Sequence, residues 1–170
     1  KIYASWLGVA WNPLPGTLQE VASIQQIVED AEIVTGEQVN ESTLKGWSAD
    51  GTLANYQVLH FATHGMVELA VPELSALVLS QFATARTAEE DDYLRIGEVA
   101  QLKLQADFVN LSACETGLGK IYGGQGVVGL PQSFLLAGAN GLSVSLWRVA
   151  DKPTAQFMIT LYQFVADGMG

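Results

Sequence analysis

DFVNLSACETGLG, residues 107–119, is the stretch that decides the fold of this chain. An apolar run, Phe108 to Ala113, leads directly into Cys114, the only cysteine of the molecule, and a glycine-rich loop follows. The run predicts a buried strand, and the glycines predict a flexible turn after it. A strand that delivers one thiol to the mouth of a flexible loop is a plausible place for covalent chemistry.

A similar strand lies upstream in YQVLHFATHG, residues 56–65. We predict a strand over Gln57–Thr63, and its lack of polar alternation is typical of a strand covered on both faces. His60 lies in the middle of this strand and is predicted to be a core histidine with satisfied hydrogen bonds. His64 stands at its carboxyl end, just before Gly65, and is the better candidate for a base that activates the thiol.

The rest of the chain alternates between helical and strand-like patterns. The first predicted elements are a strand at Ile2–Val9 and a helix at Thr17–Glu29, which has a capping box from Thr17 to Glu20 and a buried stripe that includes Leu18. They are followed by a short strand at Ala31–Thr35, a helix at Asn40–Trp47 capped by Asn40 or Ser42, a strand at Leu74–Leu79 and a solvated acidic loop at Ala88–Tyr93. The last predicted elements are a helix at Ile96–Leu102, a helix at Val127–Leu136, a strand at Leu142–Leu146 and a final helix opened by Asp151 or by Pro153. Such alternation predicts an α/β fold with a parallel sheet. Ligands of such sheets bind at the carboxyl ends of the strands, the edge where both His64 and Cys114 are expected.

Composition excludes several classes of function. The 170 residues are enough for one domain, residues 1–170, which we expect to be cut at both ends from a larger protein. The net charge of −10 argues against binding nucleic acid. No apolar run reaches the length of a membrane span, so no membrane contact is expected and a cytoplasmic location is predicted. One cysteine and two histidines argue against an intramolecular disulfide and a conventional zinc site, so no metal or cofactor is expected.

Each candidate residue has a structural alternative. Cys114 could be an inert buried residue, and Glu115 beside it would oppose a thiolate if its carboxylate pointed at the sulfur. The glycine loop lacks the sequence of a phosphate-binding loop, so flexible backbone near a site entrance explains it more economically. Asp151 could line a specificity pocket, but on local grounds alone it is a helix cap.

Five stretches together resemble the CHAT domain, a caspase-like cysteine peptidase domain related to separase. They are LPGTLQEVASIQQIV at 14–28, HFATHG at 60–65, LSACETGLG at 111–119, GGQGVVGLPQSFLLAGA at 123–139 and SVSLWRVAD at 143–151. The spacing of 50 residues between His64 and Cys114 also matches the caspase separation of about 50 between base and nucleophile. Only the stretch from Met66 to Ala106 diverges.

The resemblance implies a caspase–hemoglobinase-like three-layer sandwich, with a mostly parallel sheet covered by helices on both faces. It implies a cysteine endopeptidase in which His64 is the general base, Cys114 the nucleophile, and the N–H groups of Gly65 and Cys114 the oxyanion hole. Asp151 matches an aspartate that in separase lies in the pocket for the residue before the scissile bond, which implies cleavage after Arg or Lys.

The expected partner is a protein or peptide substrate, with tetratricopeptide repeats elsewhere in the parent chain. Two alternatives stay open at this point. The first is a catalytically silent caspase-like interaction or scaffold module, and the second is a thiol hydrolase that does not act on peptides.

Overall fold

The computed structural model describes residues 11–68, 70–80, 90–113, 120–122, 126–145 and 149–168. The strands in these residues are β1 (Val58–Ala62), β2 (His64–Met66), β3 (Ala76–Val78), β4 (Tyr93–Arg95), β5 (Phe108–Ser112), β6 (Lys120–Tyr122), β7 (Gly126–Val128) and β8 (Gly141–Val144). The α-helices are α1 (Pro15–Ile27), α2 (Glu41–Asp50), α3 (Ile96–Val99), α4 (Leu130–Leu136) and α5 (Asp151–Ala166), with short 3₁₀ turns at Gly36–Gln38, Thr52–Asn55 and Pro72–Leu74. The predicted strand at Ile2–Val9 and the nucleophile candidate Cys114 lie outside the described residues.

The central sheet is parallel and has the order β1-β5-β8. Its three strands overlap the strands predicted at Gln57–Thr63, Phe108–Ala113 and Leu142–Leu146. β5 is the middle strand, and Val109 and Leu111 on it are fully buried. These findings confirm the predicted parallel α/β sheet, since strands of this kind are buried between layers of helices.

Helices cover both faces of the sheet, because successive side chains of a strand point to opposite sides. On one face, His60 of β1 contacts Glu20 of α1 and Tyr162 of α5. On the other face, Phe61 of β1 packs on Phe134 of α4, with ring centroids 5.4 Å apart. The architecture is therefore a three-layer α/β sandwich, compatible with a caspase-like fold.

The main hydrophobic core lies on the α4 side of the sheet. Its buried members are Leu53, Leu77, Leu79, Leu94, Val99, Leu102, Leu104, Ala106, Val109, Leu111, Ala113, Leu130, Phe134, Ala137 and Ala139. The α1 and α5 side is more polar, and the two helices there pack directly on one another.

Two antiparallel additions depart from the predicted pattern. β2, β3 and β4 form a separate antiparallel sheet, in which His64 pairs with Val78. β6 and β7 form an antiparallel hairpin within the stretch predicted as a glycine loop and the start of a helix. As a result, α4 begins at Leu130 rather than at Val127.

The start of the first helix was predicted incorrectly. α1 begins at Pro15, which suits the first helical turn because its missing N–H is not needed there. The capping box is wrong: Thr17 lies inside the helix, and Glu20 is buried against His60 instead of capping. Leu18, predicted in the buried stripe of this helix, is 60% exposed.

The predictions for the later helices were partly correct, and the strand predicted at Ala31–Thr35 was not found. Asn40 caps α2 as predicted, accepting a hydrogen bond from Thr43 N at 2.8 Å. α3 ends at Val99, three residues before the predicted end. The predicted strand at Ala31–Thr35 is irregular, and none of the sheets in the described residues includes it. In α5, Phe157 and Val165 are exposed, while the smaller Ala155 and the flexible Met158 form the buried side.

The predicted acidic loop is not solvated where the structure describes it. Asp91 and Asp92 are 2% and 3% exposed. Asp91 pairs with Arg95 at 2.6 Å, and the backbone N–H of Asp92 donates to Glu41 Oε2 at 2.6 Å. Burial of Asp91 is tolerated here because its carboxylate has a cation as its partner.

A partly buried ionic cluster joins α2 to α3. Lys45 Nζ lies 2.9 Å from Glu41 and 2.6 Å from Glu98. Burial raises the pKa of Glu41, opposed by its bond to Lys45. Burial also works to raise the pKa of Glu98, but Lys45 and the Arg95 N–H outweigh it and hold that pKa below its ordinary value.

Candidate active site

The site is built on the neighbouring carboxyl ends of β1 and β5. Ala62 and Ser112 are register partners at these ends. His64 follows Ala62 by two residues, and Cys114 follows Ser112 by two residues. Cys114 itself lies outside the described residues, so the structure places His64 and Ala113 but not the thiol.

His64 has a defined tautomer. Its Nε2 lies 2.8 Å from the carbonyl oxygen of Asn12. Because a carbonyl only accepts hydrogen bonds, Nε2 carries the proton in the neutral ring and Nδ1 is the basic nitrogen. The Trp11 ring packs on the imidazole with centroids 4.9 Å apart, and the Trp11 indole N–H donates to the Tyr93 hydroxyl at 3.1 Å. The imidazole is therefore oriented from two sides.

The backbone around His64 is held by the second sheet. The Thr63 hydroxyl donates to the carbonyl oxygen of Val78 on β3. Gly65, predicted to supply an oxyanion N–H, is the middle residue of β2 and is the register partner of Leu77. Thus β3 fixes the course of the chain on both sides of the histidine.

A small cavity of about 80 Å³ opens between this edge of the sheet and the first turns of α1 and α5. Its lining is Leu14, Thr17, Glu20, Thr63, His64, Ser112, Ala113, Val149, Asp151 and Thr154. His64, Asp151 and the residue before Cys114 thus share one cavity. The Ser112 hydroxyl on its wall is buried and has no hydrogen-bond partner among the described residues.

Asp151 joins the first turns of two helices. It is the first residue of α5, where a negative charge is favoured by the helix dipole. Its carboxylate accepts hydrogen bonds from the backbone N–H groups of Gly16 at 2.6 Å and Thr17 at 3.1 Å, and from the Thr17 hydroxyl at 3.4 Å. Asp151 therefore caps a helix, as its local sequence predicted, but the helix that it caps is α1 and not α5, to which it belongs.

His60 belongs to a separate, buried network. Its Nε2 lies 2.7 Å from Glu20 Oε1, and its Nδ1 lies 3.1 Å from both the Tyr162 hydroxyl and Asn110 Nδ2. Burial raises the pKa of Tyr162; the Asn110 hydrogen bond opposes this and the charge of Glu20 adds to it. The prediction that His60 is a satisfied core histidine is confirmed.

Several residues of the site were missed in the sequence. The Ser145 hydroxyl donates to the carbonyl oxygen of Ala113, immediately before Cys114. Asn12 and Trp11 reach His64 across more than 50 residues of sequence. No periodicity or spacing rule signals such contacts, although the alignment of β8 with β5 could have drawn attention to Ser145.

The described residues contain no group of three or more His, Asp or Glu side chains arranged to hold a metal ion. None of the helices in those residues has the length and apolar character needed to cross a membrane.

Comparison with known proteins identifies the family of the chain. No curated protein matches it in sequence. The sequence profile of the CHAT domain matches residues 5–170, which is nearly the whole chain. The chain therefore belongs to the CHAT domain family, a caspase-like family related to cysteine peptidases.

Proposed function

We propose that the protein is a cysteine endopeptidase with a Cys114–His64 dyad. The observation that carries the proposal is the position of His64 on the carboxyl edge of β1, with Nδ1 left as the basic nitrogen, beside the strand that leads into Cys114. Membership of a caspase-like family supports it.

In the proposed reaction, His64 Nδ1 takes the thiol proton of Cys114. The thiolate sulfur attacks the carbonyl carbon of the scissile peptide, a C–S bond forms, and the carbonyl electron pair moves onto oxygen. The N–H groups of Gly65 and Cys114 stabilise that oxyanion, a contribution of about 3–4 kcal/mol for one such donor. The intermediate then collapses, the C–N bond breaks, and the leaving amine takes the proton from His64. Water hydrolyses the thioester and restores the thiol.

We also propose that Asp151 gives a preference for Arg or Lys before the scissile bond. Its carboxylate lies on the wall of the cavity that contains His64. An ionised carboxylate offers about four acceptor positions. Three hydrogen bonds from α1 already use this carboxylate, so we expect it to accept one further bond from a basic side chain rather than a bidentate pair.

The decisive experiment is labelling with a peptide electrophile that ends in arginine and reacts with thiols. We expect the wild-type protein to be labelled at Cys114, labelling to be lost in Cys114→Ala, and its rate to fall at least about 100-fold in His64→Gln. A correctly folded His64→Gln variant that is labelled as fast as the wild type would refute the dyad. A wild-type protein that neither labels nor cleaves any member of a diverse peptide library would favour the silent scaffold module.

The same library tests the specificity. We expect Asp151→Asn to lose the preference for basic residues while it still cleaves peptides with uncharged residues at that position. Unchanged specificity in this variant would leave Asp151 with its helix-capping role alone.

A further inference from the structure

We propose that Trp11 and Tyr93 are positioning residues for His64. Trp11 holds the imidazole together with the backbone carbonyl that bonds to it, and Tyr93 holds Trp11. The inference rests on the endopeptidase function proposed above, in which His64 is the base. Tyr93 comes from Met66–Ala106, the stretch in which the sequence diverges from the family pattern, so the resemblance assigns it no role.

His64 belongs to a row of residues that crosses the second sheet. It is the register partner of Val78 on β3, and Val78 is the register partner of Tyr93 on β4. Register partners on neighbouring strands project their side chains from the same face of a sheet. The three side chains therefore lie side by side, and those of Val78 and Tyr93 belong to residues that are each 2% exposed.

Trp11 lies across this row. Its ring centroid is 4.9 Å from that of His64 at one end of the row, and its indole N–H donates to the Tyr93 hydroxyl at 3.1 Å at the other end. The ring also packs on the small core of Ala76, Val78 and Tyr93. The hydrogen bond to Tyr93 thus fixes how the indole lies over the imidazole.

Trp11 also controls the hydrogen-bond acceptor of His64, because it directly precedes Asn12 in the chain. The carbonyl oxygen of Asn12 lies 2.8 Å from His64 Nε2. Residues 11–14 belong to no helix or strand, so no regular ladder of hydrogen bonds holds this carbonyl in place. The Trp11 side chain is its adjacent anchor, and the acceptor would move if that anchor were lost.

The position of this carbonyl matters for the proposed reaction, since it determines which imidazole nitrogen carries the proton. With Nε2 bonded to Asn12, Nδ1 is free to take the thiol proton. His64 is only half-buried, so without Trp11 its ring has room to rotate and to take the tautomer protonated on Nδ1. A base in the wrong tautomer cannot accept the proton, although the fold and the thiol are intact.

The test is a double-mutant cycle. Tyr93→Phe removes the hydroxyl acceptor, Trp11→Phe removes the indole N–H but keeps an aromatic ring, and the double variant lacks both. Tyr93 has further interactions, and the cycle separates them from the bond that the two residues share. The matched controls are Tyr56→Phe, which loses a hydroxyl bond to Glu32, and Trp47→Phe, on the main core.

For each protein we would measure kcat and KM on an arginine peptide. We would also record the nitrogen NMR signals of the neutral His64 imidazole, which report the tautomer directly. The chain has two histidines, so His64→Gln identifies the signals by their loss.

For each single variant we expect kcat to fall about tenfold with KM unchanged, which is part of the contribution of about 10²–10⁴-fold made by a general base. The wild type should show the Nε2-protonated tautomer, and the single variants a mixture of both tautomers. The double variant should be little worse than Trp11→Phe, because both substitutions remove the same bond. The two controls should behave as the wild type.

Unchanged kcat and an unchanged tautomer in folded Tyr93→Phe would overturn the proposal, as would additive losses in the double variant or equal losses in the controls. If Tyr93→Phe does not fold, Trp11→Phe decides by the same two measurements. Failure of the endopeptidase function is distinguishable, because the wild-type protein would then not cleave the peptide, whereas the NMR signals would still show whether Trp11 and Tyr93 set the tautomer of His64.

Discussion

Replacing Asp151 by alanine removes a connection between two helices, and its cost can be worked out from the contacts. The variant loses acceptors for two backbone N–H groups of α1, at 2.6 and 3.1 Å, and a favourable charge at the start of α5. Loss of a helix cap costs about 0.5–2 kcal/mol, and a hydrogen bond to a charged group contributes about 1.5–3 kcal/mol. Because the carboxylate is partly exposed, water replaces some of these bonds, and we expect a loss of about 2–3 kcal/mol.

The assay is chemical and thermal unfolding of the whole chain. For a domain of this size the expected loss lowers Tm by about 4–12 °C. Asp167→Asn, at the exposed opposite end of α5, is the matched control and should change stability by less than about 0.5 kcal/mol. A loss below about 0.5 kcal/mol in Asp151→Ala would refute the capping argument.

A double-mutant cycle tests the same contact from the other side. A Cβ at Gly16 would lie 2.7 Å from the carboxylate carbon of Asp151, so Gly16→Ala must push that carboxylate away. We expect Gly16→Ala to destabilise the wild type but to cost little in the Asp151→Ala background. Additive effects of the two substitutions would mean that the carboxylate does not lie against the start of α1.

Two further predictions concern buried charges. Lys45→Met should destabilise the protein by about 1–3 kcal/mol, less than a fully buried pair because the ammonium is about one-third exposed. The substitution removes an interaction that lowers the pKa of both Glu41 and Glu98 in the folded state. Stability that comes from a lowered folded pKa is present at high pH and lost as pH falls, so urea unfolding should show a larger loss at about pH 7 than at about pH 4. His60→Ala should destabilise by about 3–5 kcal/mol because it leaves the Glu20 carboxylate, which is 1% exposed, without its partner. Adding Glu20→Leu should recover part of that loss, and no recovery would show that the pair is not the cause.

The parallel sheet could be predicted from the sequence because its signal is local. Short apolar runs bounded by turn signals indicate strands, and the runs at β1, β5 and β8 are of this kind. Only the run at β1 was further predicted to be covered on both faces from its lack of polar alternation. Asn40 was predicted correctly as a cap for the same reason, since its partner lies three residues away. The position of His64 at the edge of the sheet followed from the strand pattern alone.

The errors arose where a distant residue replaced a local one. Thr17 and Glu20 have the spacing of a capping box. The residue that caps this helix is instead Asp151, which follows Gly16 by 135 residues in the sequence. Glu20 is then free to turn inward, where His60 offers a buried partner. The acidic stretch around Asp91 failed similarly, because a charge run predicts solvent exposure unless Arg95 is known to fold back on it.

The backbone of the candidate site is also held by contacts between residues that are distant in the sequence. Two hydroxyl groups act on the backbone next to the proposed dyad: Thr63 donates to Val78, and Ser145 donates to Ala113. In each case the hydroxyl connects the end of one strand to a neighbouring strand, at a point where the backbone pairing of the parallel sheet has ended. The backbone at these two strand ends is therefore held in part by side chains that bond to neighbouring strands, which is why the strand pattern indicates where the candidate site lies but not how it is held.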